Sequence, residues 1–293
     1  IRDGATKPFR LLHAKIALLG FRHAESSDRW RLRLIVSTGN WTRQTLEESL
    51  DLVWRIDVDS EMLAERDSET LQACADIKAA NGLLQWLEDY FDTRLLTWAQ
   101  QGRFNETEAV RQQLNAWVKQ CSHKTQVPTR FFDSRRNSLL SQLSDRIQSC
   151  SNAVARNYLA MGSGFYETAA DQNRLPDVLE SIINTLKNGS LLTRTPEVDL
   201  FVNPQACQAI ATSVTALNKQ GMTIRPAAQP SSVFGAGISR TLHAKFLFSA
   251  NYRENSKACN SAWVYLGSGN LTTPGFAKKM SASGGNLEAG VVF

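Results

Sequence analysis

Apolar positions fall into short runs near both ends of the chain, with longer helical stripes between them. Leu11 to Leu19, Arg31 to Val36 and Leu50 to Ile56 read as three strands near the start. Leu242 to Phe248, Ala262 to Leu266 and Leu287 to Phe293 read as three more near the end. Asp67 to Gln120 and Arg135 to Cys150 read as largely helical. Ala73, Ile77, Leu83, Leu84, Leu87 and Tyr90 recur near the helical period, and Asn81-Gly82 is expected to interrupt that stripe and start a second helix. Trp86, Trp98 and Trp117 are expected to pack against a sheet, and Arg130, Arg135 and Arg136 to form a solvated basic face. From Val154 the order becomes strand (to Met161), helix (Asp177 to Lys187), strand (Val198 to Val202), helix (Gln205 to Asn218) and strand (Met222 to Pro226). That alternation predicts an α/β fold with a mixed or parallel sheet.

The two sets of terminal strands carry one pattern twice. His13-Ala14-Lys15 is followed by Ser37-Thr38-Gly39-Asn40, and His243-Ala244-Lys245 by Gly267-Ser268-Gly269-Asn270; His to Asn spans 27 positions in both copies. Only four histidines are present, and two of them head these motifs. The others, His23 and His123, lack the pattern and read as surface histidines. Residues two apart on a strand share a face, so each His and Lys point the same way and the Ala between them points away. Each second strand ends in a Gly-Asn turn, whose glycine lets backbone approach an oxyanion and whose Asn presents its amide beside the His-Lys strand. Each third strand carries one acid in an apolar run, Asp51 and Glu288. A carboxylate there is costly unless partnered: each is either a strand-end acid that reaches solvent or the group that holds an imidazole in the needed tautomer. A histidine, a cation and a neutral donor, present twice, can surround one phosphodiester.

Composition narrows the partners. The chain has 293 residues, 42% hydrophobic and 21% charged, and a net charge of +5. These values describe a core-forming globular protein with a mild preference for anionic partners. Five widely spaced cysteines form no metal or disulfide framework and read as reduced thiols of an intracellular protein. Asn40 and Asn270 both head glycosylation sequons, and a glycan on either would destroy the proposed site, which also favours an intracellular location. No apolar run reaches membrane-spanning length, so no membrane partner is expected.

These residues resemble the phospholipase D superfamily, whose signature is a doubled H-x-K-x4-D with a nearby G-S-x-N. The position five after the lysine is Gly20 in the first copy and Ala250 in the second. Loss of that Asp in both copies is similar to the tyrosyl-DNA phosphodiesterase branch, as are Trp54, the segment Trp263 to Asn270 and the ending Glu288 to Phe293. The resemblance implies two pseudo-symmetric α/β sandwich halves with mixed sheets flanked by helices, residues 1–150 with a helical insertion and residues 151–293. The second half has strands and helices ahead of its His motif that the first lacks, so the first is expected to be N-terminally incomplete. By the same resemblance His13 is the nucleophile and forms a phosphohistidine; the sequence alone does not rank it against His243. His243 protonates the leaving group and then activates water. Lys15, Lys245, Asn40 and Asn270 hold the nonbridging oxygens, Ser268 adds a hydroxyl contact, and Ser163 either contacts the DNA backbone or is a plain turn serine. No metal or other cofactor is expected. The implied substrate is DNA with a 3′-phosphotyrosyl or related 3′ block, single-stranded or nicked, acted on by a monomer that is nuclear in a eukaryote. A nuclease or phospholipase of the same superfamily, or a non-catalytic nucleic-acid-binding relative, remains an alternative.

Overall fold

The computed structural model describes all residues except 3, 5, 66, 95–105, 122–126, 230, 236, 238, 254 and 257. Trp98 and His123 therefore lie outside the described residues. The chain divides into two compact units. The first comprises Ile1–Pro8, Ile16–Ile35 and Arg55–Phe132, and the second Phe9–Lys15, Val36–Trp54 and Asp133–Phe293. The division follows compactness and not repetition, so it does not bear on the halves read from the motifs.

In the first unit, β1 (Ile16–Arg22), β2 (Trp30–Ser37) and β4 (Val53–Asp59) form a three-stranded sheet in that order; β3 (Ser49–Leu50) precedes β4 in the chain. Strand β2 alternates as a half-buried strand does, with Trp30, Leu32 and Leu34 inward. The helix α3 (Ser68–Glu88) packs on β1 and on α4 (Glu106–Gln120) and follows the short α2 (Met62–Glu65); α1 (Arg43–Glu48), like β3, belongs to the second unit. Asp67 caps α3 by accepting from the Thr70 amide at 2.7 Å.

Asn81-Gly82 does not interrupt α3, contrary to expectation. Ala80 and Leu83 on either side of the pair are fully buried, and burying the stripe outweighs the glycine's roughly 1 kcal/mol cost. Trp117 stacks on Trp30 of the sheet at 5.5 Å and 13°, as expected; Trp86 also packs on Tyr90, just past the end of α3, at 4.7 Å. Arg130 is not on a solvated face: it pairs at 2.7 Å with Asp76, which is buried in α3.

After the strand β5 (Phe131–Asp133), the second unit holds strands in the order β12-β11-β10-β6-β7-β8, made of β6 (Arg156–Gly162), β7 (Leu192–Val202), β8 (Met222–Pro226), β10 (Phe246–Tyr252), β11 (Cys259–Gly267) and β12 (Ala289–Val292). Pairs β6–β7 and β7–β8 are parallel; β6–β10, β10–β11 and β11–β12 are antiparallel, so the sheet is mixed. The helix α6 (Asp177–Asn188) buries Val178, Leu179, Ile182, Ile183 and Leu186, and α5 (Leu139–Cys150) buries Leu139, Leu143 and Ile147. Both show the i, i+3, i+4 spacing of helices lying on a core. The helix expected over Gln205 to Asn218 is two short ones, α7 (Gln208–Ala211) and α8 (Val214–Lys219), with Ser213 buried between them. No described helix is long and apolar enough to cross a membrane.

Candidate active site

Every residue singled out from the doubled motif lies in the second unit. The two His-x-Lys segments are not strand interior, as the sequence implied. His13 to Lys15 lies between the isolated bridge at Leu12 and β1, and His243 to Lys245 between β9 (Thr241–Leu242) and β10. The cause is one backbone device used twice. The amides of His13 and Ala14 both donate to the Leu287 carbonyl, each at 2.9 Å, and those of His243 and Ala244 both donate to the Leu50 carbonyl, at 3.0 and 2.8 Å. Two consecutive donors on one acceptor break the regular ladder, as a bulge does.

Leu287 and Leu50 immediately precede the two acids, and this places the acids. Glu288 oxygens lie 2.9 and 3.0 Å from Nδ1 of His13, and Asp51 oxygens 3.0 and 3.3 Å from Nδ1 of His243. The pairing is crossed: each imidazole takes its carboxylate from the other copy of the motif. A carboxylate only accepts, so Nδ1 carries a proton, and in the neutral ring Nε2 bears the lone pair. The rings retain 18% and 20% side-chain exposure, so they line an accessible surface, while Glu288 is fully buried and Asp51 is 9% exposed.

Both carboxylates are held by a hydroxyl from the Gly-Asn turn of their own copy. Ser268 donates to Glu288 at 2.5 Å, and Thr38 donates to Asp51 at 2.7 Å. The backbone repeats as well: Ser268 N donates to Ala289 O at 2.9 Å and Thr38 N to Leu52 O at 3.0 Å. Ser37 N donates to Lys15 O at 2.9 Å, and Gly267 N to Lys245 O at 3.4 Å. Glu288 is fully buried and also accepts from Asn286 Nδ2 at 3.1 Å, which offsets its desolvation. Burial pushes Asp51 up, but the hydrogen bonds from His243 and Thr38 outweigh it and hold the carboxyl below the usual range.

Both lysines are buried and curl back onto the carbonyl of their own histidine, Lys15 at 2.8 Å and Lys245 at 2.6 Å. Lys245 Nζ also lies 3.2 Å from Thr38 O and 2.9 Å from Nε2 of His243. Burial lowers Lys15 to about 8 against the pull of Glu288 and Asp51. Burial and the positive charge of Lys15 lower Lys245 to about 7. Each lysine feels both carboxylates, so the two motif copies form one electrostatic cluster.

The remaining predicted groups divide. Asn270 is half-buried, and its Oδ1, an acceptor, is buried without a hydrogen-bond partner among the described residues; Asn40 is exposed. Ser268 was expected to touch substrate, and its hydroxyl is instead spent on Glu288. Ser163 is buried, and its hydroxyl donates to Phe165 O at 2.6 Å and accepts from Leu271 N at 3.2 Å, the bonding of a turn serine. The Gly39 turn does not open toward an oxyanion: a methyl there would lie 2.6 Å from the Asp51 carboxylate, so glycine lets the acid close on the turn. Thr38 and Ser134 were not foreseen. Thr38 stands where Ser268 stands in the other copy, a signal the motif alignment contains. Ser134 accepts from Glu288 N at 2.8 Å and gives its own amide to Glu288 O at 2.9 Å, and nothing in the sequence marks it. Trp54 is buried and stacks on Phe293 at 6.3 Å. His23 is exposed, as expected.

No protein-family model matches the chain, and no curated protein matches it. Among solved structures the chain is similar to yeast tyrosyl-DNA phosphodiesterase, at 13% identity over 90% of this chain and 64% of that one, with a TM-score of 0.45. It is similar to a histidine-to-asparagine variant of that enzyme at 12% identity, 93% and 69% coverage and a TM-score of 0.44. A histidine-to-alanine variant gives 13% identity, 93% and 68% coverage and a TM-score of 0.45. The chain thus spans about two thirds of the length of the yeast enzyme it is structurally similar to.

Proposed function

We propose that this site hydrolyses phosphodiesters through a phosphohistidine intermediate. The observation that supports this most is the crossed pair of carboxylate–imidazole couples sharing one cluster with two buried lysines. Each carboxylate holds its imidazole in one tautomer and orientation and steadies the imidazolium that forms. In the assignment that the motif resemblance implies, Nε2 of His13 attacks phosphorus and the bond to the leaving oxygen breaks. His243, which enters this step as the imidazolium with a proton on each nitrogen, gives that oxygen the proton on Nε2 and becomes neutral. His243 then takes a proton from water, the water oxygen attacks phosphorus, and the phosphorus–nitrogen bond breaks to return neutral His13. Lys15, Lys245 and Asn270 stabilise the nonbridging oxygens. The backbone device at Leu50 and Leu287 supports reading residues 1–150 and 151–293 as two related halves.

The substrate class follows from leaving-group chemistry. A phenol has a pKa near 10 and departs far more readily than a sugar alkoxide. The site therefore favours aryl esters of DNA 3′-phosphates, the linkage of a trapped tyrosyl–DNA adduct. The test is incubation of the purified chain with a 3′-tyrosyl oligonucleotide in the presence of chelator. Release of a 3′-phosphate end is expected. Choline release from phosphatidylcholine vesicles with no cleavage of the oligonucleotide would overturn the reading.

A further inference from the structure

Beside the imidazole of His243 the turn after β6 holds one large apolar side chain in water. Phe165 is 62% exposed, yet its backbone is fixed on both sides. Its amide donates to the Ser163 hydroxyl at 3.3 Å, and its carbonyl accepts from the same hydroxyl at 2.6 Å. That hydroxyl also accepts from Leu271 N, the residue after Asn270. On the other side, Tyr166 is buried and bridged to Leu271; its hydroxyl accepts from Ser163 N at 3.0 Å and donates to Phe201 O at 2.5 Å. Before Phe165, Gly164 rests on the catalytic segment: a methyl there would lie 3.1 Å from His243 Cα and from Leu242 O, and 3.4 Å from His243 Cδ2. The Phe165 backbone is therefore tied to both the His243 and Asn270 segments, while the phenyl ring is left mostly uncovered.

A lone exposed phenylalanine needs no explanation. A rigidly mounted one, one residue from contact with a reacting imidazole, is a ready face for a flat ring. Given the proposed function, on which this rests, His243 serves the leaving-group side of the phosphorus. We infer that Phe165 is the surface on which an aromatic leaving group lies, and that it biases the site toward aryl over non-aromatic esters. Offset ring contacts beyond simple burial correspond to a gain of about two- to twelve-fold. The nucleobase beside the scissile phosphate is the other possible source of a flat ring.

The experiment compares two thymidine 3′-phosphodiesters with acidic leaving groups, a 4-nitrophenyl ester and a hexafluoroisopropyl ester, in the parent and in Phe165→Ala. The expected result is a roughly five-fold loss of kcat/KM on the nitrophenyl ester, carried by KM, with no change on the fluoroalkyl ester. Phe165→Tyr should restore the parent value and Phe165→Leu should not. Equal losses on both esters, or none, would overturn the inference. So would a nitrophenyl penalty that vanishes when the substrate lacks its base, since the ring on Phe165 would then be the base. If the parent cleaves neither ester, the hydrolase reading fails, and this inference is judged separately by calorimetric titration with a thymidine 3′-phenylphosphonate. Weaker binding by Phe165→Ala supports it, and equal binding overturns it.

Discussion

Glu288 meets His13 across 275 positions of sequence, with a carboxylate oxygen 2.9 Å from Nδ1. The contact is set by the backbone, since the neighbouring Leu287 carbonyl binds the His13 and Ala14 amides. Replacing Glu288 by Gln would present an amide that pairs equally well with the wrong tautomer. A rate loss of roughly 100-fold or more in single-turnover cleavage is expected, with substrate affinity little changed. A loss under three-fold in a folded variant would remove the carboxylate from the mechanism.

His243→Asn should separate the two chemical steps. An activated aryl ester needs little help from a general acid, so His13 should still attack, but the adduct has no base to drive its hydrolysis. Mass spectrometry of the quenched reaction should find a phosphoryl-DNA adduct on His13. An adduct on any other residue would overturn the assignment of roles.

The lysines set the alkaline limb of the pH profile. Both have pKa values far below that of a free lysine, about 8 for Lys15 and about 7 for Lys245, so both lose charge as pH rises through that window. Since kcat/KM reports the free enzyme, it should fall as pH rises above roughly 7 to 8. Bound phosphodiester adds negative charge beside both ammoniums and holds their protons, so the corresponding limb of kcat should lie higher. Stability should move the other way. The unfolded chain binds these protons up to the ordinary lysine range and the folded chain does not, so folding free energy becomes more favourable as pH rises from about 7 toward 10. A kcat/KM flat from pH 7 to 9 would remove the lysine charges from the rate.

Ser268→Ala removes a hydrogen bond to a fully buried carboxylate. A loss of about 1.5 to 3 kcal/mol in denaturant unfolding is expected, together with a fall in rate. Thr38→Ala should act likewise through Asp51, by a smaller amount, because Asp51 retains some access to water. Equal stability of parent and Ser268→Ala would show that water replaces the hydroxyl.

Gly164→Ala tests the mounting of His243. The added methyl would press on His243 Cα and the Leu242 carbonyl at 3.1 Å, and these atoms are backbone. Activity should fall more than stability does, as read by kcat/KM against the unfolding midpoint. A fully active variant would show that His243 tolerates displacement.

Much of the site was legible because the chemistry is written twice. The paired His and Lys, the two turns and the two acids could be found by aligning the chain with itself. The crossing of the carboxylates could not. Strand periodicity reports which face a side chain occupies and is silent on which strand lies opposite; the partner is chosen by the carbonyls of Leu50 and Leu287, which carry no sequence signal. The same limit hid the internal duty of Ser268, since a hydroxyl beside a candidate site reads equally as a ligand contact and as a brace. In the fold, the errors came where tertiary burial overrode local preference. Helix α3 runs through Asn81-Gly82 because its neighbours there are fully buried, and α7 and α8 part at Ser213 where the pattern implied one helix.

The exchange of acids between the two copies makes each indispensable to the other. A piece ending at residue 150 would carry His13 without Glu288 and Asp51 without His243; a piece starting at 151 would carry the reverse. Neither would own one complete couple. Catalysis by this design is thus a property of the pairing and not of the repeat, and two inert pieces could regain it only by reassociating.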